Sequence, residues 1–184
     1  MSTRVTTGKV RLSFPHLFTA KQINGEGDPK YSTMLLIPKT DTATIAALRK
    51  AEKEAAEAGK AGKFNGKTVN ADSIIKDADE DESAEDYPER AGHLYMTVSS
   101  AEQFKPGIVD RNVQKILDQS EVYSGVFAKV SLTAFPYTYG QNKRGVSFGL
   151  NNVQILGGGE SLGGGKPASE DFEPVGDDEG DDLL

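Results

Sequence analysis

The stretch VYSGVFAKVSLTAFPYTYGQNKRGVSFGLNNVQI, residues 122–155, decides how this chain folds. In its first half Val122, Val126, Ala128, Val130, Leu132 and Ala134 fall on one face, and Tyr123, Phe127, Lys129, Ser131, Thr133, Phe135, Tyr137 and Tyr139 on the other. A period of two sustained over such a length marks a half-buried β-strand. A strand this long has to bend, and Gly125 and Pro136 are the places the sequence offers for it. Gly140-Gln141-Asn142-Lys143-Arg144-Gly145 then reads as a hairpin loop with a cationic tip, and Val146, Phe148 and Leu150 form the returning apolar row. The phase slips across Asn151 and Asn152 before Val153 and Ile155, as a β-bulge requires.

The same alternation recurs upstream. Val10, Leu12 and Phe14 are expected to face a core while Lys9, Arg11 and Ser13 face away from it. Residues 30–37 hold the continuous apolar run Met34, Leu35, Leu36, Ile37, an interior strand ended by Pro38, which has no N–H to give the ladder. Leu94, Met96 and Val98 alternate with Tyr95, Thr97 and Ser99. One helix interrupts the strands: Asp41 is suited to cap it, residues 42–58 are rich in Ala, Glu, Lys and Leu, and Gly59 fits a left-handed C-terminal position. Its apolar stripe of Ile45, Leu48 and Ala55 is narrow, which predicts a helix on the outside of a sheet. Residues 73–76 and 111–117 are read as short helical turns, and the acids around 79–85 as a solvated loop. About five bent strands with a peripheral helix predict a mostly β fold, most economically a small closed or partly open barrel.

The chain has 184 residues, no Cys, no Trp and two His, enough for one domain with appendages. Without Cys there are no disulfides, thiolate nucleophiles or cysteine zinc sites, and the separated His16 and His93 make no metal centre. No apolar run approaches the roughly 20 residues that span a bilayer, and no signal-peptide core follows Met1-Ser2-Thr3-Arg4. The expectation is a soluble protein of a reducing cytoplasm with no membrane partner.

A net charge of −7 conceals a division. Residues 167–184 carry eight acids and no base, residues 77–90 carry eight acids and one base, and the remainder holds 20 bases against 12 acids. A basic body joined to an acidic end suits a surface made for polyanions, with the end as an internal competitor. The glycines at 157–159 and 163–165 lack the Gly-Lys-Ser/Thr ending of a phosphate loop and read as a flexible tether. The division predicted is a body of residues 1–156 and an appendage of residues 157–184. In the appendage Asp177, Asp178, Glu179, Asp181 and Asp182 precede the apolar tip Leu183-Leu184, a peg for a partner's groove.

Catalytic chemistry finds little support. Neither histidine lies in a nucleophile–base motif, and the acids between 77 and 89 lack the glycine-centred pattern of a Ca²⁺ loop. A Mg²⁺-dependent nuclease built on those acids is one alternative, and an adaptor acting through its acidic end is another. No catalytic residue, metal or cofactor is assigned. What accumulates is rings and cations on the outward faces of strands, the combination single-stranded nucleic acid uses: bases stack on flat side chains while Lys and Arg follow the phosphates. The candidate stacking residues are Tyr95, Phe104, Tyr123, Phe135, Tyr137 and Tyr139, and the candidate phosphate ligands are Lys9, Arg11, Lys39, Lys105, Arg111, Lys129, Lys143 and Arg144.

Several segments in succession carry a resemblance. They are Val10-Arg11-Leu12-Ser13-Phe14-Pro15, Lys30-Tyr31-Ser32 leading to Leu35-Leu36-Ile37-Pro38-Lys39, Lys105-Pro106-Gly107-Ile108-Val109-Asp110, Tyr123-Ser124-Gly125, Phe135-Pro136-Tyr137, and Gly145-Val146-Ser147-Phe148-Gly149-Leu150-Asn151-Asn152-Val153-Gln154. Across about 145 residues they resemble the phage-encoded single-stranded DNA-binding proteins, a family once known only as a domain of unknown function and similar to the OB-fold replication proteins of lytic phages. The resemblance implies an OB-fold variant with a disordered acidic C-terminal tail that competes with DNA and docks replication or recombination partners. It also implies sequence-tolerant binding of single-stranded DNA, in the cytoplasm of a host bacterium. A homodimer is compatible with it. With no Trp in the chain, any stacking must come from Tyr or Phe.

Overall fold

In a computed structural model of the chain, residues 3–23, 25–81, 83–162 and 174 are described. The order of elements is β1 (Arg4–Thr6), β2 (Val10–Ile23), β3 (Glu26–Pro38), α1 (Thr42–Ala61), β4 (Lys76–Asp77), α2 (Ser83–Asp86), β5 (His93–Ala101), β6 (Gly107–Val109), β7 (Phe127–Tyr139) and β8 (Lys143–Gly157). The two halves of the opening stretch become β7 and β8, paired antiparallel from Phe127↔Gly157 to Tyr139↔Lys143. The predicted phase slip is real: Ser131 pairs with Asn152 and Leu132 with Leu150, so Asn151 is the extra residue of a bulge.

Five strands close into a ring in the order β7, β2, β3, β5, β8 and back to β7. The seam between β5 and β8 is parallel and thin, registered at Ser99↔Gly149. Beside it β4 pairs with β5 at Tyr95 and Leu94, and the N–H groups of Asn70 and Ala71 donate to the Arg144 carbonyl on β8. The barrel is therefore partly open, and residues 70–77 fill its gap. Inside lie the rows the alternation picked out, among them Leu12, Leu35, Ile37, Met96, Leu132 and Phe148, all but sealed from water.

Helix α1 buries Thr44, Leu48, Ala51, Ala55 and Gly59, spaced three or four residues apart, and lies against β7, β1 and β8. Asp41 caps it as expected, accepting from the Thr44 N–H at 3.2 Å and the Thr44 hydroxyl at 2.6 Å. Its end differs from the sequence reading. The helix runs on to Ala61, and Gly59 sits within it where the Phe64 ring packs against its bare Cα, leaving no room for a Cβ. Close approach of an aromatic ring, and not a left-handed cap, is what requires glycine at 59.

Three further expectations are corrected. Residues 73–76 hold no helical turn: Ser73–Ile75 are irregular, with a bend at Ile74 and the Ile75 N–H donating to Ser73 Oγ, and lead into β4. Residues 111–117 form a tight turn from Asp110, whose carboxylate accepts from the Asn112 and Gln114 N–H groups, and a return that bridges Lys115 to Val109. In β2 the alternation breaks at Phe14, which is exposed with φ +49°, while Ser13 is buried. Three steps along β2 from Ser13 to His16 match two along β3 from Met34 to Ser32. The extra residue accommodates Pro15, which cannot donate to the ladder, and turns the Phe14 ring outward.

Candidate nucleic-acid interface

The outward face of β7 presents Phe135, Tyr137 and Tyr139 in a row, because alternate residues of a strand share a face. Opposite Tyr137 β8 offers Gly145. A Cβ at Gly145 would stand 2.6 Å from the Tyr137 hydroxyl, so only a residue without one lets that ring lie across the neighbouring strand. Tyr139, near the hairpin tip, is 75% exposed. The arm is braced from one side by residues 68–71. Arg144 Nε donates to the Thr68 carbonyl at 2.8 Å, and Asn70 Oδ1 accepts from the Arg144 N–H at 2.7 Å. Arg144 is therefore half-buried in a structural role, and Lys143 is the exposed cation of the hairpin.

Between the arm and residues 70–76 runs a groove of about 610 Å³, lined by Tyr137, Lys143 and Lys76, by the single acid Asp72, and by Ser73 and Ile74 among others. Lys76 and Lys143 are both exposed, and neither makes an ion pair among the described residues. Sequence reasoning passed over Lys76. It stands alone beside an acidic run, and only the pairing of β4 with β5 carries it to the groove.

A second group gathers at the other end of β7. Lys9 Nζ lies 4.2 Å from the Phe127 ring centroid and the Arg11 guanidinium 5.6 Å from it. Arg11 also donates through Nε to the Gly125 carbonyl at 2.9 Å and through Nη2 to the Glu160 carbonyl at 2.7 Å. The Tyr123 hydroxyl donates to the Gly158 and Gly159 carbonyls, so the chain leaving β8 folds back over Tyr123 and Phe127. Arg111 joins through Nη1 to the Leu156 carbonyl, and Lys129 stands exposed nearby on β7. Ten residues of strand, roughly 33 Å, separate Phe127 from Tyr137, so these rings form two groups and not one continuous patch. Phe104 and Lys105 are exposed on the loop between β5 and β6.

Lys39 and Tyr95 are engaged by the acidic segment. Lys39 Nζ bridges Asp77 and Asp79 at 2.7 Å each, and those carboxylates push its pKa up to about 12. The Tyr95 hydroxyl donates to Asp81 and accepts from Ser83 Oγ at 3.0 Å. Burial, then the Asp81 carboxylate, raise the Tyr95 phenol, while the Tyr95 hydrogen bond holds Asp81 below the usual carboxylate range. The acids are thus not merely a solvated loop. Tyr87 and Arg90 follow them, with Arg90 buried between the Tyr87 and Tyr95 rings. Of the histidines, His16 has its pKa lowered by partial burial and by Lys21, and His93 Nδ1 lies 2.8 Å from the Ala91 carbonyl. Among the described residues no group of three or more His, Cys, Asp or Glu could hold a metal ion, and no helix is long and apolar enough to cross a membrane. The tail residues Asp177, Asp178, Glu179, Asp181, Asp182, Leu183 and Leu184 lie outside the described residues.

Comparison with known proteins follows the same lines. The chain is 32% identical over 187 residues, 98% of either sequence, to putative protein p50 of Acyrthosiphon pisum secondary endosymbiont phage 1. Its fold is similar to that of the single-stranded DNA-binding protein from bacteriophage Enc34 in complex with ssDNA. There the TM-score is 0.70 at 23% identity, over 88% of this chain and 90% of that one. It is also similar to gp2.5, a single-stranded DNA-binding protein encoded by bacteriophage T7, at a TM-score of 0.61 and 17% identity over 94% and 98% of the two chains. These likenesses bear out a mostly β, OB-like barrel with one main helix. A family model described as Enterobacter phage Enc34, ssDNA-binding protein, matches residues 3–184, and the chain belongs to that family.

Proposed function

We propose that the chain is a phage single-stranded DNA-binding protein that coats and protects DNA during replication or recombination in the host cytoplasm, without catalysing a reaction. The observation that carries this reading is the row Phe135, Tyr137, Tyr139 on one face of β7, with Tyr137 sharing a groove with Lys76 and Lys143, neither of which has an ion-pair partner among the described residues, in a chain of this family. Bases stack on the rings and the backbone follows the lysines, the sequence-tolerant mode of oligonucleotide-binding barrels, whose hairpin loops flank the strand. Lys9, Arg11, Lys105, Arg111 and Lys129 extend the positive field beyond the groove. A nuclease reading loses ground because Lys39 occupies the carboxylates of Asp77 and Asp79, and among the described residues no group of acids is placed to hold a metal ion.

The division into a body of residues 1–156 and an appendage of residues 157–184 is part of the proposal, with the appendage as competitor for DNA and contact for replication proteins. Fluorescence anisotropy of a labelled dT oligomer tests the core of it. Binding is expected at low salt and weakens as salt rises, with a log–log slope of about −0.7 for each phosphate neutralised. No anisotropy change at low salt overturns the reading. Removing residues 163–184 should tighten binding most at low salt, and equal affinities across the salt series would remove the tail from the mechanism. Incubating labelled DNA with Mg²⁺ should leave it intact.

A further inference from the structure

Phe14 occupies a position where alternation calls for a core residue. The bulge at Pro15 places Ser13 inside and the Phe14 ring outside, 48% exposed, on a backbone with φ +49°. A bulky side chain with positive φ is a strained arrangement, and leaving a phenyl ring in water forgoes its burial. Two unfavourable choices at one residue, neither improving the barrel's packing, point to a ligand that uses the ring.

The surroundings say which ligand. Tyr87, 40% exposed, meets Phe14 edge to face with centroids 6.4 Å apart. Beneath Tyr87 the Arg90 guanidinium lies 3.9 Å from the ring centroid and 5.2 Å from that of Tyr95. Arg90 is only 6% exposed and its Nε has no hydrogen-bond partner among the described residues. A buried cation stacked under a tyrosine fixes that ring in place, so the pair is preorganised. The Phe14 N–H donates to Ser124 Oγ at 3.1 Å, which sets Phe14 beside the Tyr123–Gly125 turn to which Arg11 is bonded. Arg11, bonded to that turn, is the cation on the Phe14 side, whereas Glu85, Asp86 and Glu89 adjoin Tyr87 in sequence, so a polyanion that lays its flat groups on the rings keeps its phosphates towards Arg11.

We propose that Phe14 and Tyr87 form a second base-stacking platform for single-stranded DNA, separate from the β7–β8 arm. The inference rests on the DNA-binding reading above and deepens it: a strand held at both platforms passes round the barrel instead of lying in one groove.

Because the chain has no Trp, Phe14→Trp introduces a single indole at the platform. Titration of that full-length variant with a dT oligomer carrying an anisotropy label gives two readouts at once. Bound DNA and quenched indole emission together are expected, while Ala47→Trp, on the exposed face of α1 and outside both platforms, binds DNA without quenching. Phe14→Leu should bind about tenfold more weakly than wild type at unchanged or raised Tm. Tyr87→Leu should weaken binding comparably. Bound DNA with unquenched Trp at 14, or wild-type affinity in both leucine variants, overturns the platform and leaves the DNA-binding reading standing. Absence of binding by the wild-type protein overturns both.

Discussion

The β7–β8 arm and the face of β5 beneath residues 77–91 begin from similar material and end in opposite states. Both present outward tyrosines with lysines at hand. On the arm Tyr137 and Tyr139 are open to solvent or to a groove, and Lys76 and Lys143 have no partner among the described residues. On β5, Tyr95 gives its hydroxyl to Asp81 and shares its ring with Arg90, and Lys39 is held between Asp77 and Asp79. The difference lies in what each strand's connection carries. The arm is joined by a short turn with a lysine, whereas β5 is entered from a segment of eight acids. An acidic segment packed on its own barrel takes up the cation and the phenol that would otherwise serve a polyanion.

Breaking the open side should have the largest effect. Tyr137→Ala with Tyr139→Ala removes two stacking surfaces, each worth about 1–3 kcal/mol per base, so dT-oligomer affinity should fall about 30-fold or more. Anisotropy at fixed salt measures this, and wild-type affinity in the double variant would show that the arm is not a platform. Lys76→Ala and Lys143→Ala should each weaken binding several-fold and make the salt slope shallower by about 0.7. If the slope does not move, those lysines do not meet phosphates.

The closed side should respond the other way. Tyr95→Phe loses a hydrogen-bonded hydroxyl, which should lower stability by about 1 kcal/mol in a urea melt. DNA affinity should stay within about twofold, because this ring is already occupied. Lys39→Gln should leave the salt slope unaltered. A drop in DNA affinity for either variant would mean that the acidic segment gives way to DNA, and the contrast between the two faces would collapse.

Much of the fold was legible because alternation is a local property. Val130, Leu132, Phe148 and Val153 are buried as the period of two requires, and the slip at Asn151 was visible as a phase change. Phe14 was misplaced for the complementary reason: a bulge at Pro15 depends on how β2 pairs with β3, whose partners Met34 and Ser32 lie 21 and 16 residues beyond Ser13 and His16. Gly59 looked like a cap because the ring that needs it, Phe64, lies past the helix end. At the candidate site the row on β7 could be read from a single strand. The capture of Lys39 and Tyr95 by acids some 14 to 40 residues away in sequence could not, since nothing local distinguishes a solvated acidic run from one folded back on its barrel. Lys76 and Tyr87 were missed on the same account, because each enters a site through tertiary contacts alone.

The smallest expected effect concerns pH, and its sign follows from the groups on the closed side. Asp79 is held below its ordinary value by the Lys39 hydrogen bond and then by the Gly92 N–H, and Asp81 by Tyr95 and then Ser83. Groups whose pKa falls on folding favour the folded form above their ordinary values and lose that contribution as pH drops through the lowered ones. Lys39 runs in the opposite sense: raised from 10.5 to about 12, it contributes fully below 10.5 and loses the contribution as pH rises through about 12. Residues 77–91 should therefore hold fastest between about pH 4 and pH 10 and loosen on either side, acid acting through the carboxylates and alkali through the lysine. All three groups are exposed to water, so screening keeps the change modest and added salt should reduce it further. Amide hydrogen exchange across residues 77–91, compared with residues 133–147 of the arm after correction for intrinsic rates, separates the two regions. Protection lost in the segment alone below pH 4 supports the clasp. Parallel loss in both would mean that the whole barrel opens and that these ion pairs do not hold the segment down.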